Sequence, residues 1–130
     1  MGIFVDYPRN SFPSLSKTPT TILTATTNVL WLDSLIICNR GEEDIRFNLQ
    51  YITTVPANIE SNLIYNLKIN SYRTANNNPG QLNTLDVVAV GNIKNISLQV
   101  GDSLVCYSNG AKQIFDAVVF YSKLNELPLN

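Results

Sequence analysis

The last third of the chain decides the fold class, and it begins with Asn92-Ile-Lys-Asn-Ile-Ser-Leu-Gln-Val100 followed by Gly101-Asp102. Two further apolar runs follow, Ser103-Leu-Val-Cys-Tyr-Ser-Asn-Gly110 and Gln113-Ile-Phe-Asp-Ala-Val-Val-Phe-Tyr-Ser-Lys-Leu124. Apolar and polar residues alternate in the first run, which is typical of a strand with one buried face. Gly101-Asp102 and Asn109-Gly110 are turn signals, and Asn-Gly is among the strongest signals for a hairpin. This stretch therefore predicts a meander of antiparallel strands in an all-β protein.

The rest of the chain carries further strand patterns separated by turns. The predicted strands are Thr20 to Thr27, Leu30 to Asn39, Ile45 to Tyr51, Tyr65 to Ile69 and Leu85 to Val90, with a charged turn at Arg40 to Asp44 and a break at Val55 to Asn58. About eight short strands at this spacing predict an antiparallel two-sheet β-sandwich of immunoglobulin-like or jelly-roll type. The period-2 pattern places Leu35, Ile37, Phe47, Leu49, Leu98, Leu104 and Val119 in its core.

The chain divides into three parts by composition. Residues 1–19 contain Pro8, Pro13 and Pro19, and proline is excluded from central strands. We expect an extended N-terminal arm over residues 1–19, a β-sandwich domain over residues 20–124 and a C-terminal tail over residues 125–130. The apolar residues of the arm either pack back on the sandwich of their own chain or reach a neighbouring subunit.

Charge and cysteine content narrow the function classes. In 130 residues the net charge is −1, charged residues make up 15%, and there is no histidine. No basic patch for nucleic acid is expected. A polar, weakly charged surface suits contact with other proteins. An AT-rich genome is the alternative explanation for the many asparagine and isoleucine residues.

No signal peptide or transmembrane segment is predicted, so we expect the protein to fold in a reducing cytoplasm. Cys38 and Cys106 are then expected to be free thiols, and a Cys38–Cys106 disulfide is the alternative.

The sequence carries little that resembles an active site. Without histidine the usual catalytic triads and most zinc sites are excluded. Glu42, Glu43 and Asp44 are adjacent in a turn, and Asp102 follows Gly101 as a turn residue whose carboxylate is expected to accept bonds from nearby backbone N–H groups. Asp33 is expected to bend its strand or bond a neighbouring loop, and Asp116 to face solvent. We predict no enzyme activity, no cofactor and no metal.

Four motifs follow one another within residues 20–124: Ser34-Leu-Ile-Ile-Cys-Asn39, then Asp44-Ile-Arg-Phe-Asn-Leu-Gln-Tyr51, then Asn95-Ile-Ser-Leu-Gln-Val-Gly-Asp-Ser-Leu-Val105 and the closing Phe115-Asp-Ala-Val-Val-Phe-Tyr-Ser122. With this series of motifs the stretch resembles a family of small β-sandwich virion proteins of tailed bacteriophages. The segment from Asn58 to Leu85 is longer than in that pattern, and residues before Thr20 have no counterpart in it. The resemblance implies a non-enzymatic structural protein of the virion, folded in the host cytoplasm before assembly. Its place would be the head–tail junction (neck or connector) or the tail, or alternatively the capsid surface as a decoration (cement) protein.

Two segments are predicted to form contacts in a homo-oligomer and with other virion proteins, without binding nucleic acid or a membrane. They are the arm and the loop Arg73 to Asn83, which are both longer than an ordinary connection. The candidate contact residues are Ile3, Phe4, Tyr7, Phe12, Arg73, Asn76, Asn77 and Asn78. The alternative of another class is a carbohydrate- or receptor-binding module. The distribution of aromatic residues disfavours it, because most of them fall within strands and not at loop tips.

Overall fold

A computed structural model of the chain describes residues 3–71, 86–89 and 96–126, and these form two antiparallel sheets packed face to face. The first sheet contains β1 (Ile3–Asp6), β2 (Arg9–Leu15), β4 (Leu30–Asn39), β7 (Asp86–Ala89), β8 (Ile96–Leu98) and β10 (Phe115–Glu126). The second contains β3 (Thr20–Thr24), β5 (Ile45–Thr53), β6 (Ile59–Ile69) and β9 (Ser103–Ser108). The predicted all-β sandwich is confirmed. None of the described residues is helical, so this part of the chain has no helix that could cross a membrane.

The order of the strands is that of a jelly roll. In the first sheet β10 and β4 are central, with β1 and β2 along the outer edge of β10 and β7 and β8 along the outer edge of β4. In the second sheet the order is β3-β9-β5-β6. From β2 to β10 the chain changes sheet between successive strands, except from β5 to β6 and from β7 to β8. This alternation distinguishes the jelly roll from the immunoglobulin-like arrangement that the sequence left open.

The predicted meander of the last third is wrong. The strands β8, β9 and β10 do not pair with one another: β8 pairs with β4, β9 with β3 and β5, and β10 with β4 and the N-terminal strands. Residues 109–114 therefore carry the chain from one sheet to the other instead of closing a hairpin at Asn109-Gly110. A turn signal marks where a strand ends, but the partner of the next strand is chosen by burial against distant segments.

The predicted N-terminal arm forms the edge of the first sheet within its own chain, which is the first of the two arrangements expected for it. β1 pairs with the end of β10, and β2 pairs with its beginning. Pro13 is tolerated because β2 is an edge strand, and its ladder is irregular there. Ser14 has a φ of +57°, and its N–H donates to Asp116 Oδ1 at 2.9 Å. The segment is extended, as expected, but residues 3–15 belong to the sandwich.

The predicted core is confirmed. The seven side chains predicted to be buried are all fully buried between the sheets, together with Phe115, Ile22 and others. Phe47 of the second sheet and Phe115 of the first meet edge to face, with ring centroids 5.5 Å apart and planes at 87°. The alternating residues of β4, β5, β9 and β10 therefore fill one common layer between the sheets.

Candidate functional site

The predicted contact residues lie in different surroundings. Ile3 and Phe4 have their backbone in β1, opposite Glu126 and Asn125. Tyr7, between β1 and β2, is 75% exposed, whereas Phe12 of β2 packs against the core of its own chain. Arg73, Asn76, Asn77 and Asn78 lie outside the described residues. Tyr7 is therefore the predicted contact residue whose described side chain is open to a partner.

Exposed apolar side chains gather on β6, which the sequence analysis did not single out. Ile59, Leu63, Tyr65 and Leu67 are 37–72% exposed, and Val55 in the preceding turn is 73% exposed. In the described part of the chain β6 is the last strand of its sheet and pairs only with β5. Its ladder with β5 is irregular on both sides of Leu49, where Asn66 has a φ of +61°. An edge strand with apolar side chains is a surface on which another chain can pack.

A network of asparagine side chains holds the outer face of the second sheet. The buried Asn48 on β5 donates from Nδ2 to the Tyr107 carbonyl at 3.3 Å and to Asn109 Oδ1 at 2.7 Å. Asn109 Nδ2 donates to Asn66 Oδ1 at 3.0 Å, and the Asn66 N–H donates to Asn48 Oδ1 at 3.0 Å. These bonds connect β5, β6 and the end of β9. They stabilise the pairing of these strands and give the buried Asn48 amide its hydrogen-bond partners.

A second polar cluster closes one end of the sandwich. Tyr51 donates its hydroxyl proton to Asp102 Oδ2 at 2.5 Å and contacts the Ser97 carbonyl at 3.1 Å. The N–H of Gln99 also donates to this carboxylate, at 3.3 Å, which confirms that Asp102 bonds nearby backbone N–H groups. Burial, and next the bond to Asp102, raises the pKa of Tyr51 to about 12. The sequence pattern did not indicate the Tyr51 contact, because the two residues are far apart along the chain.

The other acids singled out in the sequence also serve the fold. Asp33 is the additional residue at an irregularity in the β4–β10 ladder, and Ser122 donates to its Oδ2 at 2.6 Å. Asp33 therefore lies at an irregularity of its strand, as expected, but its bond is to the neighbouring strand β10 and not to a loop. Asp116 is half-buried and lies 3.5 Å from Arg40 NH1, in addition to its bond from Ser14. These carboxylates connect strands and do not converge on a common point.

The two cysteines lie on different sheets, and Cys106 is buried. They are not joined by a disulfide, and burial raises the pKa of Cys106 to about 12. The thiolate is the reactive form of cysteine, so burial disfavours reaction at Cys106 in the folded protein. Within residues 3–71, 86–89 and 96–126 no three histidine, cysteine or acidic side chains are placed to hold a metal ion. A small polar cavity of about 90 Å³ lies between Thr24, Asn28, Tyr121 and Lys123.

Comparison with known proteins identifies no family for this chain. No family model and no curated protein matches the chain. A solved structure described as "Structure of infectious bursal disease virus Gx strain" aligns with 95% of this chain at 9% identity and a TM-score of 0.32. The chain spans 40% of the length of that viral chain. A similarity at this level supports no conclusion about function.

Proposed function

We propose that this chain is a non-enzymatic structural protein of a tailed-bacteriophage virion that assembles with copies of itself at the head–tail junction or in the tail. The observation that carries the proposal is a jelly-roll body with exposed apolar side chains along the edge strand β6. Assembly proteins need preformed sheets and open edges, because ordering a surface only on association would weaken the contact.

The chemistry of the described residues fits this role. The buried polar side chains, including Asn39, Asn48 and Asp102, are bonded within the fold. Asn39, for example, donates from Nδ2 to the carbonyls of Glu43 and Ile69 and accepts from the Gly41 N–H. Polar groups that stabilise a fold in this way make the molecule stiff, and stiffness suits a part that must meet many identical neighbours. The resemblance of residues 20–124 to small phage virion proteins supports the same class.

The direct test is the location of the chain in purified particles. Mass spectrometry of the particles and labelling with an antibody under the electron microscope should find the protein at the junction or along the tail. Label over the capsid shell would indicate the decoration protein instead. Absence from particles, together with retention of the purified monomer on glycans, would overturn the proposal in favour of a binding module.

A variant of the predicted arm tests its part in assembly. Tyr7→Asp replaces a side chain that is 75% exposed, so the fold should be retained while incorporation into particles decreases. Thr21→Asp is the matched control, because Thr21 is also exposed and lies on a different edge strand, β3. Equal incorporation of the two variants would remove Tyr7 from the assembly contacts.

A further inference from the structure

The sequence of β6 is symmetric in residue chemistry about its central residue. It reads Ile59-Glu-Ser-Asn-Leu-Ile-Tyr-Asn-Leu-Lys-Ile69, with Ile64 at its centre. Residues at equal distances from Ile64 match in chemistry. Isoleucine occupies both ends, Glu60 corresponds to Lys68, asparagine occupies both positions 62 and 66, and Leu63 corresponds to Tyr65. Only Ser61 and Leu67 are unlike partners.

We propose that β6 pairs antiparallel with β6 of a second copy of this chain about a twofold axis at Ile64, joining two sheets into one. A twofold interface uses the same surface on both subunits, so each residue must suit the partner that the axis gives it. In this register Glu60 of each copy faces Lys68 of the other, and Leu63 faces Tyr65. Opposite charges and aromatic–aliphatic pairs are the cross-strand pairs that stabilise antiparallel sheets.

The geometry of the single chain agrees with this register. Glu60 is opposite Ile52 and Lys68 is opposite Arg46, so both charged residues lie on the outer face of the sheet. Lys68 Nζ lies 3.6 Å from Asp44 Oδ2, which holds the ammonium group on that face. The ladder is regular from Ile59 to Asn62 and from Leu67 to Ile69, and the axis brings these two regular stretches together. The irregular residues near Ile64 then meet each other at the axis.

The exposed side chains of β6 indicate that the chain pairing with this edge is a second copy of the protein. An uninterrupted apolar edge strand promotes aggregation, and proteins usually protect such edges with charge or proline. β6 has no proline, and its exposed apolar residues Leu63, Tyr65 and Leu67 lie between charges of opposite sign at 60 and 68, with the exposed Ile59 just before them. With one acid and one base at symmetric positions, the strand places opposite charges together in its antiparallel copy, whereas an in-register parallel copy would place like charges together. The inference rests on the proposed assembly function and specifies the surface that it uses.

Charge reversal tests the register. The full chain, with a mass of 14.5 kDa, should sediment with the mass of at least two chains. Glu60→Lys places lysine opposite lysine in both halves of the interface, so this variant should lose the β6 contact and fall to a lower mass. The double variant Glu60→Lys/Lys68→Glu restores opposite charges across the axis and should regain the original mass. Glu43→Lys is the matched control, because it makes the same charge change at an exposed position outside β6.

Thermal melting accompanies each measurement, because reversal of Lys68 also repels Asp44 within the chain. A second variant avoids this complication: Tyr65→Asp changes a side chain that is 72% exposed and should separate the copies without lowering the melting temperature of the monomer. A wild-type chain that stays at the mass of one copy would overturn the inference. The same holds if Glu60→Lys and Glu43→Lys have equal effects. If the chain is found in particles while β6 remains unpaired, the inference fails and the proposed function stands; absence from particles contradicts the proposed function.

Discussion

At Gly101 the backbone has a φ of +99°, and two hydrogen bonds fix this conformation from either side. The Gly101 N–H donates to the Ala25 carbonyl at 2.7 Å, and its own carbonyl accepts from Thr54 Oγ1 at 2.8 Å. A side chain is unfavourable here because an added Cβ would lie 2.7 Å from Thr54 Oγ1. This one residue therefore connects the β8–β9 turn to the ends of β3 and β5.

Gly101→Ala should reduce the free energy of unfolding by about 1–3 kcal/mol, because a non-glycine residue at this φ is strained and the Thr54 hydroxyl must move. Chemical denaturation measures the change. Gly41→Ala is the control, since a Cβ there would make only ordinary contacts, the nearest being 3.5 Å from the Lys112 carbonyl. Equal stability of both variants would contradict the strain argument.

The pKa of Tyr51 gives the fold a dependence on alkaline pH. The pKa of a tyrosine is about 10 in an unfolded chain, and burial raises that of Tyr51 to about 12 in the folded protein. Above pH 10 the unfolded chain loses this proton before the folded chain does, so the unfolded state is favoured. The stabilisation is complete below about pH 10 and is lost progressively as the pH rises towards 12.

Denaturation curves of the wild type and of Tyr51→Phe across this pH range test the linkage. The variant should be less stable at neutral pH, because Asp102 loses a bond, and its stability should fall less steeply between about pH 10 and 12. Equal slopes for the two proteins would show that Tyr51 does not control the alkaline transition.

Among the strands, β5 and β9 are the central elements of the second sheet, and their inward residues determine whether the sandwich forms. Leu49 on β5 is fully buried. Leu49→Asp should unfold the domain, because burying an unpaired carboxylate costs several kcal/mol. Circular dichroism and thermal melting report the loss. Thr21→Asp introduces the same side chain on the exposed face of β3 and should melt near the wild type; an unchanged melting curve for Leu49→Asp would contradict the assigned core.

The strands that carry the two thiols also determine how far each thiol is buried. Cys106 lies on the inward face of β9, whereas Cys38 of β4 is only partly buried. In a Cys38→Ser variant the remaining thiol should react with a disulfide reagent only after unfolding, since burial raises its pKa and blocks access. Rapid labelling of this variant under native conditions would show that the sheets open at β9.

For the whole molecule, the N-terminal strands complete the first sheet. Deletion of residues 2–16 removes β1 and β2, exposes one edge of β10, and removes Phe12 and Leu15 from their contacts with the core. We expect a loss of about 2 kcal/mol or more in the free energy of unfolding, in proportion to the apolar surface that is lost. Tyr7→Ser is the control, because Tyr7 is mainly exposed. A truncated chain that unfolds like the full one would show that these strands add nothing to the sandwich.

The candidate interface could be predicted from the sequence only in part. The alternation Tyr65, Leu67, Ile69 predicted a short strand, whereas β6 begins at Ile59. The symmetric pattern about Ile64 is visible in the printed sequence. Its value as an interface depends on the edge position of β6, and the edge position follows from the pairing of all the other strands.

The sequence by itself determined the all-β class, the bounds of Leu30 to Asn39 and the seven buried residues, because period-2 alternation is a local property of a strand with one buried face. Only the tertiary structure decided that β8, β9 and β10 alternate between sheets and that residues 3–15 complete an edge. A strand has the same alternation whether its neighbour in the chain lies beside it or across the core. The choice between these arrangements depends on the packing of both sheets together, which no single segment contains.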